Sequence, residues 1–237
     1  MLQNSKELCG NKLAALDGDI GHVQDFYFDD KAWMIRYLVA DTGSWLPGRL
    51  VLLSPHAFGR LDHYENTLHI KLLKKQIQNS PSIESQNPVS RQYENECCRY
   101  YGWPAYWDGG TMWAPSGSPV IVPPLQEPHA RHRRTDFHLQ STQAINGYHI
   151  QTIDGAIGHV SGLMVDDKSW VIRSLVVETG HWCLGKQILI APCKIDGIRY
   201  PESKVFVNLT KADIQRTTQN ETAQAGGAIY RVKKAAN

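Results

Sequence analysis

The amino-acid sequence predicts an all-β protein: two tandem small, strongly bent antiparallel β-barrels, each with a short C-terminal helix, joined by a long aromatic and Pro-rich segment. Three observations lead there. First, Asp17-Gly-Asp-Ile-Gly-His-Val23 returns as Asp154-Gly-Ala-Ile-Gly-His-Val160. The echo runs on without a gap through Trp33/Trp170, Ile35-Arg36/Ile172-Arg173, Leu38-Val39/Leu175-Val176, Trp45/Trp182 and Pro55/Pro192. About half of the positions from Leu16 to Pro55 are identical between copies, so the chain is a duplication. Second, each copy sets β-branched and aromatic runs between Asp/Gly turns, the pattern of strands and hairpins. Third, Gly21 and Gly158 fall inside strand patterns, where a bulge or sharp bend lets a small sheet curl and hide its edges.

In the first copy, residues 8–16 read as a first strand, closed by Asp17-Gly-Asp. Residues 21–28 follow as a second, closed by Asp29-Asp-Lys, and residues 33–41 as a third, closed by Thr42-Gly-Ser. Residues 50–54 and 68–72 complete the set, and the second copy repeats it at 148–153, 158–165, 170–178, 187–191 and 205–209. The third strand carries apolar residues of both parities (Trp33, Ile35 and Val39 against Met34 and Leu38), so it is central, with something packed on each face. Thr210-Lys-Ala-Asp213 has the shape of a capping box, and Lys74-Lys-Gln-Ile77 stands in the same place in the first copy. The predicted organisation is a first repeat at residues 5–80, a joining segment at 81–141, a second repeat at 142–217 and a disordered tail at 218–237.

The joining segment differs in kind. Tyr100-Tyr-Gly-Trp-Pro-Ala-Tyr-Trp107 concentrates ring surface that a free polar linker lacks, so it is expected to dock on a barrel. A Pro-rich run to Pro128 and the basic cluster His129-Ala-Arg-His-Arg-Arg134 follow. Charge is nearly balanced, with 25 Lys and Arg against 23 Asp and Glu, so no strong pull toward nucleic acid or anionic lipid is implied. No run of apolar residues is long enough to span a bilayer, and the Met1 end lacks the apolar core of a signal peptide. The five cysteines match no metal knuckle and none recurs between copies, which points to reduced thiols in a cytoplasmic protein.

The string Leu-Asp-Gly-x-Ile-Gly-His-Val, the Asp-Asp turn, Trp-x-Ile-Arg-x-Leu-Val, and a later Trp and strand ending in Pro resemble the PRC-barrel family in both copies. That family includes the cytoplasmic part of the photosynthetic reaction centre H subunit and the C-terminal domain of a ribosome maturation factor. The resemblance implies a small bent antiparallel barrel in each repeat, with no common catalytic residue and no cofactor. The expected function is a non-enzymatic tandem adaptor or scaffold that mediates protein–protein interaction. The alternatives are an RNA-processing or ribosome-associated factor, and an accessory protein of photosynthetic or electron-transport complexes.

Candidate site residues follow from the same features. Trp45 and Trp182 lie just beyond a Thr-Gly turn and, with Tyr100, Trp103 and Trp107, form the candidate partner-binding surface. Arg36 and Arg173 sit among apolar residues with acids at both strand ends, which suggests fixed ion pairs with Asp41 and Glu178 or with the Asp29-Asp30 and Asp166-Asp167 pairs. Arg131, Arg133 and Arg134 are the candidate basic contact, although four or so charges give only salt-sensitive binding. His22 and His159 recur, but Asp19 becomes Ala156, so no ligand set of three or four converges and no metal is expected. The partner is a protein of unknown identity, a homodimer is allowed, and nucleic acid is not the expected partner.

Overall fold

The computed structural model describes residues 1–43, 45–47, 49–81, 83, 89–107, 139–180, 187–219 and 229–231. In the first repeat, β1 (Leu2–Asn4) and a short α1 (Ser5–Leu8) precede β2 (Lys12–Ala15), β3 (Gly18–Asp29), β4 (Met34–Asp41), β5 (Leu50–Leu53), β6 (Phe58–Asp62), β7 (Thr67–Ile70) and α2 (Lys74–Gln78). The joining segment contributes α3 (Arg91–Tyr101). The second repeat runs through β8 (Leu139–Ser141), β9 (His149–Thr152), β10 (Gly155–Asp166), β11 (Ile172–Thr179), β12 (Gln187–Ile190), β13 (Ile195–Arg199), β14 (Lys204–Val207) and α4 (Lys211–Gln219), and β15 (Ile229–Arg231) follows.

Two sheets result. One has seven strands in the order β5-β4-β3-β2-β7-β6, with β8 on β3; the other has eight in the order β13-β14-β9-β10-β11-β12-β15, with β1 on β10. Both are mixed, because β2 pairs β7 and β9 pairs β14 in parallel. Neither closes. The expected small antiparallel barrels are therefore overturned, and with them the resemblance to the PRC-barrel family and to the reaction-centre H subunit. The reason lies at the long strands β3 and β10. Their far halves offer an edge, and that edge is filled by a strand of the other repeat rather than by the sheet's own last strand.

Several local expectations also change. Residues Ser5–Leu8 turn as α1, with the Asn4 side chain accepting the Lys6 N–H, so the first strand starts only at Lys12. The joining segment is not wholly extended: Ser90 caps α3 by accepting the Tyr93 N–H, and Gly102 ends it with φ 69°, the left-handed cap that glycine allows. Residues 229–231, in the stretch expected to be disordered, add β15 to the edge of β12.

The repeated Asp-Gly motif has a structural use in both copies. Asp17 accepts the Lys74 N–H at 2.8 Å and Asp154 the Lys211 N–H at 2.9 Å, so each hairpin ties down the first turn of its repeat's terminal helix. That hydrogen bond from Lys211 leads the interactions that hold the Asp154 carboxyl below the ordinary aspartate range.

The two repeats meet through contacts that occur twice. Leu2 opposes Asp166 as Leu139 opposes Asp29. Met34 bridges Val171, its own equivalent in the other repeat. Around that bridge the Ile35 N–H donates to the Trp170 carbonyl at 2.9 Å, and the Ile172 N–H to the Trp33 carbonyl at 2.8 Å. The arrangement is that of an isologous two-fold interface built within one chain. Trp33 and Trp170 both take the left-handed backbone conformation, with φ 51° and 57°, which a non-glycine residue adopts only when its surroundings hold it there. Trp170 is 5% exposed and packs against Phe58 at 4.6 Å and Phe26 at 5.9 Å between ring centroids. One apolar core results, joining Leu13, Phe26 and Leu68 of the first repeat to Ile150, Leu163 and Val205 of the second.

A second symmetric pair is polar and has diverged. Tyr200 donates its hydroxyl to Asp30 at 2.7 Å, and at the equivalent place His63 Nε2 lies 3.3 Å from Asp167. Burial, then Asp30, pushes the Tyr200 hydroxyl far above its usual range, so it remains a donor at any pH the fold tolerates. Tyr200→Phe is expected to cost about 1 kcal/mol, read as a lower urea midpoint at an unchanged slope. An unmoved midpoint would show that the bond adds nothing to the junction.

Candidate functional site on the outer sheet faces

β4 is apolar on both sides because both sides are covered. Ile35, Leu38 and Ala40 enter the shared core, while Tyr37 and Val39 join Leu52 in a second cluster with Val89 and Leu139, flanked by Tyr93 and Tyr106. The joining segment thus docks on the outer face of the first sheet. Arg36 anchors it. Its guanidinium donates to Asp29 at 3.1 Å and lies 4.0 Å from the centroid of the Tyr106 ring, which suits a cation against an electron-rich ring face. Tyr106 donates its hydroxyl to Glu94 at 2.9 Å. Arg91 approaches the other Glu94 oxygen at 3.1 Å, a charge contact without hydrogen-bond alignment, and stacks over Trp107 at 4.0 Å.

The electrostatics make this cluster a lock rather than a reactive centre. Burial opposes the charge on Asp29, but hydrogen bonds from Ala32, Arg36 and Lys31 outweigh it and hold the carboxyl below its usual range. Burial, reinforced by Glu94, drives the hydroxyls of Tyr37 and Tyr106 well above the usual tyrosine range. Burial pushes the Cys97 thiol up to about 12, so it is a poor nucleophile near neutral pH. None of these groups is poised to exchange a proton at pH 7.

The second repeat has the same frame, and its outer side is covered only in part: Ser174 and Val176 are buried like Tyr37 and Val39, while the end at Arg173 and Leu2 is open. Arg173 lies 3.5 Å from Asp166, as Arg36 pairs with Asp29, but its side chain is 54% exposed against 17% for Arg36. Leu2, the equivalent of Leu139, is 47% exposed against 3%. Met164 stands half-buried on the same outer side, since its neighbours Leu163 and Val165 point into the core. Ser174 replaces Tyr37. Hydrogen bonds from Ser169 and Lys168, with help from Arg173, keep the Asp166 carboxyl below the ordinary range despite some desolvation.

Most of the residues proposed from sequence are already engaged. Trp45 is half-buried against the core, with the Lys74 ammonium 4.9 Å from its ring centroid. Trp103 stacks on Tyr101 at 4.1 Å and 14°, and Trp107 lies under Arg91. Tyr100 remains 41% exposed, while its hydroxyl donates to the Gln76 carbonyl at 2.7 Å. Trp182, Arg131, Arg133 and Arg134 lie outside the described residues. The arginine partners are the acids at the hairpin end, Asp29 and Asp166, rather than Asp41 and Glu178. Asp41 instead accepts the Gly43 N–H at 2.8 Å, and Glu178 stands 3.7 Å from His159. Sequence reasoning missed Glu94 and Arg91, because it did not place α3. The available signal was Ser90 and Gly102 bracketing a helix-length stretch.

Among the described residues, no three His, Cys, Asp or Glu side chains converge to hold a metal. A hollow of about 350 Å3 beside β9, β13 and β14 is lined by Gln151, Ile153, Asp196, Phe206 and Asn208, among others, and brings no acid–base pair together. No helix among the described residues is long and apolar enough to cross a membrane. No family model and no curated protein matches the chain.

Proposed function

We propose that the protein is a non-enzymatic scaffold that holds another protein, and that it works in the reducing cytoplasm. The observation that carries this reading is the ring surface of the joining segment. Tyr100 is pinned to α2 by its hydroxyl, yet keeps its ring 41% exposed beside Tyr101 and the half-buried Trp103. Rings held this way lose little freedom on binding and bury much apolar area, which is how interface hot spots work. Cys9, Cys97 and Cys193 are free thiols, in keeping with a reducing compartment.

The test is affinity capture at native expression, comparing wild type with Tyr100→Ala. The expected result is a protein enriched by wild type and reduced about tenfold or more by the variant, at an unchanged melting temperature. Identical captured sets for the two proteins would overturn the ring surface as the docking site.

A further inference from the structure

The duplication supplies an internal comparison. In the first repeat, Asp29, Arg36 and the Tyr106 ring form a three-member stack, with Leu139 and Tyr27 packed beside it. In the second repeat, Asp166 and Arg173 reproduce the first two members. Leu2 and Met164 reproduce the flanking residues. There the arginine and the leucine are exposed where their twins are covered.

We infer that the open end of the outer face of β10 and β11, at Arg173, Leu2 and Met164 beside the buried Ser174 and Val176, is a second docking seat, and that it takes a peptide segment of a partner protein presenting a tyrosine or tryptophan ring next to aliphatic side chains. This extends the scaffold reading from one surface to two.

The chemistry follows from the occupied twin. A guanidinium already paired to a carboxylate in its own plane keeps its flat faces free for stacking. The complementary surface is the electron-rich face of an aromatic ring, best from tryptophan and then tyrosine. Asp166, 3.5 Å away, keeps that cation near the seat, in a looser ion pair than the 3.1 Å hydrogen bond between Arg36 and Asp29. Leu2 and Met164 offer apolar area to the side, where Leu139 and Tyr27 serve in the first repeat. The thioether of Met164 adapts to a ring of either size. The chain's own Tyr106 cannot fill this seat, since it is bound over Arg36.

The probe is a capped peptide with the sequence of residues 103–107, Trp-Pro-Ala-Tyr-Trp, the segment that carries the ring of the occupied twin. It is titrated to millimolar concentration into the full chain, with NMR observation of the Arg173 side-chain Nε–H and the Leu2 and Met164 methyl groups. The expected result is a saturable upfield ring-current shift at all three. Arg173→Ala should weaken binding by about fivefold, and Arg173→Lys, which keeps the charge without the plane, by a smaller factor. Far-UV circular dichroism confirms that both variants fold, and Arg173→Lys carries the comparison if Arg173→Ala does not. Unmoved resonances at the three residues would overturn the seat. A ring-current shift on Arg173 already present in dilute free protein would assign the seat to this chain, and one that grows with protein concentration to a second copy. Either outcome overturns a partner segment as occupant. The titration needs no captured protein, so the Tyr100 experiment can fail while this one succeeds, and the reverse.

Discussion

Trp170→Ala is expected to lower stability by about 3–5 kcal/mol. The indole is 5% exposed and wedged between Phe26 and Phe58, two rings of the other repeat. Truncation leaves a cavity in the part of the core that both repeats share, and neither side can collapse into it without pulling on the Met34–Val171 bridge. The left-handed backbone at position 170 adds to the effect, since the packing that holds it there is lost. Trp33→Ala is the control. Trp33 is only half-buried, with Phe28 at 6.0 Å, so a smaller loss of about 1–2 kcal/mol is expected. Guanidinium unfolding followed by tryptophan fluorescence and by circular dichroism reads both. Equal losses for the two variants would show that the symmetric frame, and not the buried wedge, sets the strength of the junction.

Gly21→Ala is expected to cost about 4 kcal/mol or more, enough to leave little folded protein. A Cβ there would fall inside the backbone carbonyl of Asp41 on the neighbouring strand, and φ is 124°. The obstacle is backbone held in the β3–β4 ladder, so it cannot swing away as a side chain would. Gly158 meets the Glu178 carbonyl in the same way, and Gly158→Ala should behave alike. Gly43→Ala separates the two causes. It has φ 53° but open space around it, and about 1 kcal/mol is expected. Thermal melts of the three variants check this, and a mild effect at Gly21 would mean that the two strands part there more readily than the ladder suggests.

What could be read in advance was what nearest neighbours in the chain decide. The alternation of Val23, Phe26 and Phe28 with polar residues, the Asp-Gly turns and the doubly apolar β4 are local patterns, and each reports a strand or its burial. Ladder closure is not local. β8 reaches β3 from more than a hundred residues away, and no periodicity marks which edge a three-residue strand will choose. Arg36 shows the same limit at the scale of one residue. Tyr27 pairs Tyr37 and Phe28 pairs Ile35, so Arg36 is the extra residue of a bulge and turns toward Asp29 instead of Asp41. Arg173 is the extra residue between the Met164–Ser174 and Val165–Ile172 pairs. The aromatic joining segment was legible as surface that must be buried, but its helix was hidden by Cys97, Cys98 and three nearby tyrosines, residues of indifferent helix propensity.

Reciprocal strand exchange inside one chain has a consequence for how such a protein can change. In a homodimer every substitution lands on both sides of the axis, so an innovation on one face must be tolerated on the other. A fused pair is free of that constraint. Here one flank of the axis holds tyrosine at 37 where the other holds serine at 174, and one holds histidine at 63 where the other holds tyrosine at 200. The tryptophans and isoleucines at the seam, Trp33 with Trp170 and Ile35 with Ile172, stayed alike, because there each half is still the template against which the other folds.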